Sequence, residues 1–451
     1  MEDSIYYEST EEQQESYSLD FILFLLLNAV LFVRPGDLIE EIKELPIYNG
    51  LILACIVLSL SRLLRSVAPR EILADSITAC VLGLLAAVVV SHLSHFFLWG
   101  ARSSGYEFFK IVVYYLVLLS VLDTRARLER FLKWLVLFNC CLVALALLQF
   151  HEIIEIPSLT AFAQKQIDPT TGELSVIPRL CGTGMFNDPN DLCLILDVSF
   201  LIALYWLVQA PSYFGKLLWL GLLGVFAYAI VQTQSRGGVI ALGIGLLIVL
   251  RWNLGWGKSL PIFIALTPLA AVILARRSTA MTMTEDTAQA RVQLWSEGLG
   301  LFRQNPWFGI GAEQYEEQVG MVAHNSFIHF FTELGLFGGA LFLGAFLFAL
   351  WSFRNANLDA WRVERPRDRL AIWLMALVGC YACGILMLSR TFVPPTYMVL
   401  GLAAAYFRLP DAVNYRPLLH FTARKAAALV PVSCAFLGCA YLYVRLVVRW
   451  D

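Results

Sequence analysis

Apolar runs of membrane-spanning length recur from one end of this chain to the other, and they restrict its fold more than any other feature. They fall at 19–33, 48–65, 76–98, 107–122, 130–150, 189–209, 214–233, 237–252, 259–275, 325–353, 368–388, 394–408 and 426–447. In hydrocarbon there is no water to satisfy backbone N–H and C=O groups, so such segments must bond internally. The expected fold is therefore an all-α polytopic membrane protein with about 12–13 transmembrane helices. The first and twelfth runs are short enough to be re-entrant. A length of 451 residues would otherwise suit two or three soluble domains, but 59% apolar and only 15% charged residues exclude that. A formal net charge of −2 excludes a nucleic-acid binder.

Between the runs the chain divides into an acidic cytoplasmic tail (1–18), N-terminal transmembrane helices (19–150), an outer loop (151–188), central helices (189–275), a large outer loop (276–324) and C-terminal helices (325–451). The tail has no basic n-region and is expected to stay on the chain, without fixed structure. The excess of Lys and Arg in short loops marks the cytoplasmic side. Arg62, Arg65 and Arg70, then Arg125, Arg127, Arg130 and Lys133, then Arg354, Arg362, Arg365, Arg367 and Arg369 all fall on one side when the N-terminus is placed inside. The loop 151–188, the turn Gln234-Ser235-Arg236-Gly237-Gly238 and the loop 276–324 then share the outer face. ATP and nucleotide sugars are absent there, so any chemistry needs a donor already carried across the membrane.

The large loop is rich in aromatic, glycine and ionisable residues, which is costly beside a bilayer unless it has a function. Within it, Arg291 to Phe302 has the apolar spacing of an interfacial amphipathic helix. Asn305 to Gly311 reads as a Pro/Gly-punctuated turn. His324 marks the point of re-entry into the membrane, followed by Asn325 as N-cap of the next helix. Each charged candidate has two readings. Arg236 either snorkels to headgroups beside a tight Gly237-Gly238 turn or grips a phosphate through paired N–H donors. Arg291 either faces water or turns inward to join it. Arg179 either solvates a loop or extends the same anion site. His324 is either structural or takes a proton from an acceptor hydroxyl. Asp188 and Asn187 read as helix caps before Pro189.

The outer carboxylates form no recognisable metal signature, and no HExxH, GxSxG or Walker sequence is present, so no metal and no cofactor are expected. Ten cysteines lie almost wholly in apolar runs. Cys380 and Cys383 have ligand-like spacing but no second pair, which favours packing.

In order along the chain stand Phe186-Asn187-Asp188-Pro189-Asn190-Asp191, Ser235-Arg236-Gly237-Gly238, Arg291-Val292-Gln293-Leu294-Trp295, Asn305-Pro306-Trp307-Phe308-Gly309-Ile310-Gly311, His324-Asn325 and Glu333-Leu334-Gly335-Leu336-Phe337-Gly338. This ordered set, over about residues 186 to 340, resembles the O-antigen ligase and O-antigen polymerase superfamily of bacterial membrane glycosyltransferases. The resemblance implies a fold of the C type of glycosyltransferases in the inner membrane, with a metal-independent active site facing the periplasm. It implies an undecaprenyl-diphosphate-linked glycan donor and a lipid A-core or glycan acceptor, joined with inversion. The family's two essential arginines and histidine correspond to Arg236, Arg291 and His324, with Arg179 a further match. Trp295, Trp307 and Tyr315 would then either stack on sugars or serve as interfacial belt aromatics. The alternative is a transporter of a small anion such as bicarbonate, for which intramembrane charges such as Asp197 or Lys110 would matter.

Overall fold

The computed structural model describes residues 17–156, 162–167, 174–275, 284–362 and 368–448. The acidic tail up to residue 16, Arg276 and Arg277 of the large loop, and Arg365 and Arg367 lie outside the described residues. Each apolar run is a helix: α1 (Leu19–Val33), α2 (Ile47–Ser66), α3 (Ser76–Leu93), α4 (Leu98–Val121), α5 (Arg125–Phe150), α6 (Pro189–Gln209), α7 (Tyr213–Thr233), α8 (Arg236–Leu254) and α9 (Trp256–Ala275). After them come α10 (Thr284–Gln304), α11 (Ser326–Arg362), α12 (Arg369–Gly384), α13 (Pro394–Arg408) and α14 (Ala423–Val447). Among the described residues, nine helices are long and apolar enough to cross a membrane. Leu19–Val33 and Arg369–Gly384 are shorter apolar helices. The chain is thus an all-α polytopic membrane protein, with α10 as the amphipathic helix expected in the large loop.

One departure from pure helix lies in the loop 151–188. Strands β1 (Phe162–Ile167) and β2 (Leu174–Arg179) form an antiparallel hairpin, with Phe162 opposite Arg179. Its end is stapled to the bundle where the Leu180 N–H donates to the Gln232 carbonyl at 3.1 Å. This fixes where Arg179 arrives.

Two ends of the bundle differ in chemistry. At one end, ion pairs tie helix termini together. Arg62 joins Asp20 and Asp123, Arg125 meets Asp368 at 2.8 Å, and Arg408 meets Asp75 at 3.2 Å. At the other end lie Arg236, Arg291, His324, the 385–393 segment and the loop after α1.

Helix α11 is broken at Gly335 (φ 64°, ψ −164°). An unbroken helix would join the Leu336 and Phe337 N–H groups to the Thr332 and Glu333 carbonyls. Instead, Leu336 donates to Pro306 O (2.7 Å) and Phe337 to Trp307 O (3.2 Å). The freed carbonyls are taken by Ile310 N–H on Thr332 (3.1 Å) and Gly311 N–H on Glu333 (3.0 Å). The Asn305–Gly311 turn therefore substitutes for the missing helical bonds, satisfying groups that would otherwise be buried unpaired. Both contacts demand glycine. A Cβ on Gly309 (φ +71°) would lie 2.2 Å from the Glu333 carbonyl carbon, and one on Gly335 would lie 2.3 Å from that of Trp307. The turn expected from the Pro and Gly residues is present, and the broken α11 is the partner it bonds to.

Candidate active site

The cations at this end of the bundle come from a strand end (Arg179), a helix start (Arg236), an amphipathic helix (Arg291) and an interhelix link (Arg390). Arg179 is the last residue of β2 and is buried. Its Nε donates to the Thr233 carbonyl at 2.8 Å and its Nη2 to Asn190 Oδ1 at 3.1 Å. Burial pushes its guanidinium below the ordinary arginine value, with Asp188 opposing and Arg291 adding to the fall. Arg236 is the first residue of α8, whose N-cap Ser235 accepts from the Gly238 N–H at 3.3 Å. Its Nε and Nη2 are buried and have no hydrogen-bond partner among the described residues. An unmet buried donor costs about 1–3 kcal/mol, and more when charged. Such an arginine has the donors to bind an anion.

Gly237 and Gly238 do not make a hairpin turn. They lie inside the first turn of α8, and the left-handed position is Gln234 (φ 51°). A Cβ on Gly238 would lie 2.2 Å from the Cys193 sulfur, so Gly238 lets α8 close on α6, while Gly237 faces Met387. Ser235, Gly237 and Gly238 line one small cavity together with Asn190, Arg291 and Leu388.

Arg291 is half-buried on α10. This helix presses Val292 and Leu299 against Val444 of α14. Its neighbour Trp295 donates its indole N–H to the Ala323 carbonyl at 2.7 Å and packs on Tyr443. Trp295 thereby braces the backbone next to His324. On the other side Asn325 caps α11, accepting from Phe327 and Ile328 N–H groups at 3.0 and 3.1 Å. His324 sits between these anchors in the left-handed region (φ 49°). Burial lowers its pKa below the ordinary histidine value, Arg291 and His329 add to the drop, and Asp188 opposes it. The ring is therefore poised neutral, as a proton acceptor must be.

The structure brings Arg179, Arg291 and His324 around a common carboxylate. Asp188 caps α6 through the Asn190 N–H at 2.8 Å, as its place before Pro189 suggested. Its charge also reaches all three residues and Arg390. Arg390 escaped the sequence reading as a site residue. Its guanidinium pairs with Asp191, and its N–H donates to Ser326 Oγ at 2.7 Å. Ser326 in turn bonds to Leu388 and Ile385, which sews the 385–390 segment to the start of α11. The signal for Arg390 was the same as for Arg236: a lone cation in a short link between two apolar runs.

Two aromatic candidates lie elsewhere. Tyr315 is fully buried, donates to the Leu294 carbonyl at 2.6 Å and packs on His329, leaving no face for a sugar. Its N–H bonds to Glu333, which pairs with His329 at 3.0 Å. Trp307 is 68% exposed on the turn that completes the α11 break, and no contact to the arginines is present among the described residues. Also among the described residues, no three His, Cys, Asp or Glu side chains converge as metal ligands.

A net-positive, partly desolvated cluster beside a neutral imidazole can bind an anionic leaving group and accept a proton nearby. No curated protein matches the chain. A family model described as O-antigen ligase matches residues 220–343 of the 451. That stretch contains Arg236, Arg291, Trp295, Trp307, Tyr315 and His324, and leaves Arg179 and Arg390 outside it. Over residues 220–343, about a quarter of its length, the chain is similar to the O-antigen ligase family.

Proposed function

We propose that this protein is a multi-pass inner-membrane glycosyltransferase that moves a glycan from undecaprenyl diphosphate to an acceptor hydroxyl at the periplasmic face. The family supports glycosyl transfer of the ligase/polymerase kind. The observation that carries the finer reading is Arg236, whose Nε and Nη2 are buried without a hydrogen-bond partner among the described residues and whose neighbours Ser235 and Gly237 line a cavity with Arg291, beside Arg179, Arg291 and Arg390 gathered around Asp188. A diphosphate is the anion that such a set would match, since arginine forks pair with phosphate oxygens.

In this reading the donor's lipid lies among the helices and its diphosphate sits at the arginines. The acceptor oxygen forms a bond to the donor C1 from the side opposite the diphosphate, and inversion follows. The C1–O bond to phosphate breaks, and its electron pair leaves with the diphosphate, where the arginines stabilise the growing charge. The hydroxyl proton passes to neutral His324. Asp188 holds the arginines and histidine in register. The acceptor is lipid A-core or another glycan. The comparisons give the transport reading no support.

Cells carrying Arg291→Ala or His324→Ala should accumulate lipid-linked glycan while the protein still inserts at wild-type levels. Normal glycan transfer by both variants would sink the assignment.

A further inference from the structure

A cavity of about 450 Å³ lies not at the arginine cluster but beside it. It lies between the loop after α1 and the side of α4, with Arg34, Lys43, Tyr48 and Asn49 on one wall and Glu107, Phe108 and Lys110 on the other. Met185 belongs both to this chamber and to the smaller cavity lined by Asp191 and Arg390. The chamber is thus separated from the Arg390–Asp191 cavity by Met185. Phe392 and Pro394, from the segment that carries Arg390, complete the wall.

Its basic side chains (Arg34, Lys43 and Lys110) and its acidic ones (Asp37, Glu107 and Glu313) balance in number. Arg34 meets Asp37 at 3.1 Å, Lys110 meets Glu107 at 2.6 Å, and Glu313 accepts from Ser104 at 3.0 Å. Such a lining offers donors and acceptors without selecting an anion. Tyr48, Phe108 and Phe392 add aromatic surface, and the volume falls in the ~300–1,000 Å³ range of small-ligand sites. The wall is built rather than incidental. Arg34 adopts a left-handed conformation (φ 51°) and lies across Gly184, where a Cβ would be 2.0 Å from its Nη1.

We propose that this chamber binds the uncharged sugar units next to the bond being made, while the arginines hold the diphosphate. The inference rests on the glycosyl-transfer reading above. Polar groups paired along each wall, with aromatic faces beside them, match the alternating hydroxyl edges and C–H faces of a sugar ring. Two sources share that chemistry, the donor's own glycan and the acceptor's.

A photo-crosslinking benzoylphenylalanine at Tyr48, in the full-length protein in cells, tests it. The control is the same residue at Tyr213, 92% exposed and at the opposite end of the bundle. Irradiation should yield a periodate-oxidisable carbohydrate adduct at position 48 and none at 213. Mild acid, which cleaves sugar–diphosphate bonds, should release lipid diphosphate only from a donor adduct, which separates the two sources. In parallel, Gly36→Trp and Asn49→Trp, which fill the chamber, should cut glycan transfer at least tenfold at unchanged protein level. Gly221→Trp, on a face with nothing within 4 Å, should not. No carbohydrate at position 48, or wild-type transfer by both chamber-filling variants, overturns the chamber. Those results, with His324→Ala still inactive, would leave the glycosyl-transfer reading intact.

Discussion

At Arg236 two guanidinium nitrogens are buried with no hydrogen-bond partner among the described residues, which is costly for folding and useful for binding. Activity and stability should therefore move in opposite directions. Arg236→Gln should lower transfer by about 10²-fold or more, the loss seen when one transition-state donor is removed. The same variant should melt no lower than wild type, because the unmet charge is gone. A detergent-stable thermal melt beside a transfer assay checks both, and a large drop in melting temperature would mean Arg236 is a structural residue. At His324 the sign follows from its neighbours. The nearby Arg291 charge disfavours the imidazolium, so Arg291→Gln should move the acid limb of the rate profile to higher pH. Asp188 favours the imidazolium, so Asp188→Asn should move that limb lower. Limbs that stay put in both variants would remove His324 as the titrating base. These residues were legible in sequence because a lone Arg or His at a helix end beside a bilayer is expensive. Arg390 met the same criterion and was passed over. Tyr315 was misleading because nothing local shows that its hydroxyl is committed to Leu294.

Among the elements, the join between the Asn305–Gly311 turn and the broken α11 positions the site. It sets the short helical segment bearing Asn325 and His329 at an angle to the membrane-spanning part of α11. Gly309→Ala or Gly335→Ala would add left-handed strain and a steric overlap with backbone that cannot swing aside. Each should destabilise the protein by about 2–4 kcal/mol, read as a lower melting temperature and a lower yield of inserted protein. Unchanged melting in both would mean that the join is loose. The turn was readable from its Pro and Gly, but the break in α11 was not. The apolar pattern continues across Glu333 to Gly338, and the partner that satisfies the broken bonds lies some thirty residues upstream. The β-hairpin was passed over for a different reason. Its strands flank the Asp168–Gly172 turn signal without a clean apolar–polar alternation, and two short strands carry little weight in a helical chain.

For the molecule as a whole, apolar length and cation placement made the helices and their alternation visible, since both are properties of the bilayer as solvent. The mutual placement of helix ends was not visible, because it rests on contacts such as Arg125–Asp368 between residues far apart in sequence. The orientation predicts that Trp307→Cys reacts with an impermeant maleimide in intact cells, above the background of native thiols. Tyr213→Cys should react only after the membrane is opened. The reverse pattern would put the arginine cluster on the cytoplasmic face and remove the proposed donor. The central claim is that the arginine end expels a lipid diphosphate as a glycan is transferred. Purified protein in liposomes, supplied with the extracted lipid-linked glycan and acceptor fraction, measures this by mass spectrometry of released undecaprenyl diphosphate. The account predicts release matched to glycan transferred, and loss of both in Arg236→Ala and His324→Ala. Transfer without diphosphate release, or release by both variants at the wild-type rate, would contradict it.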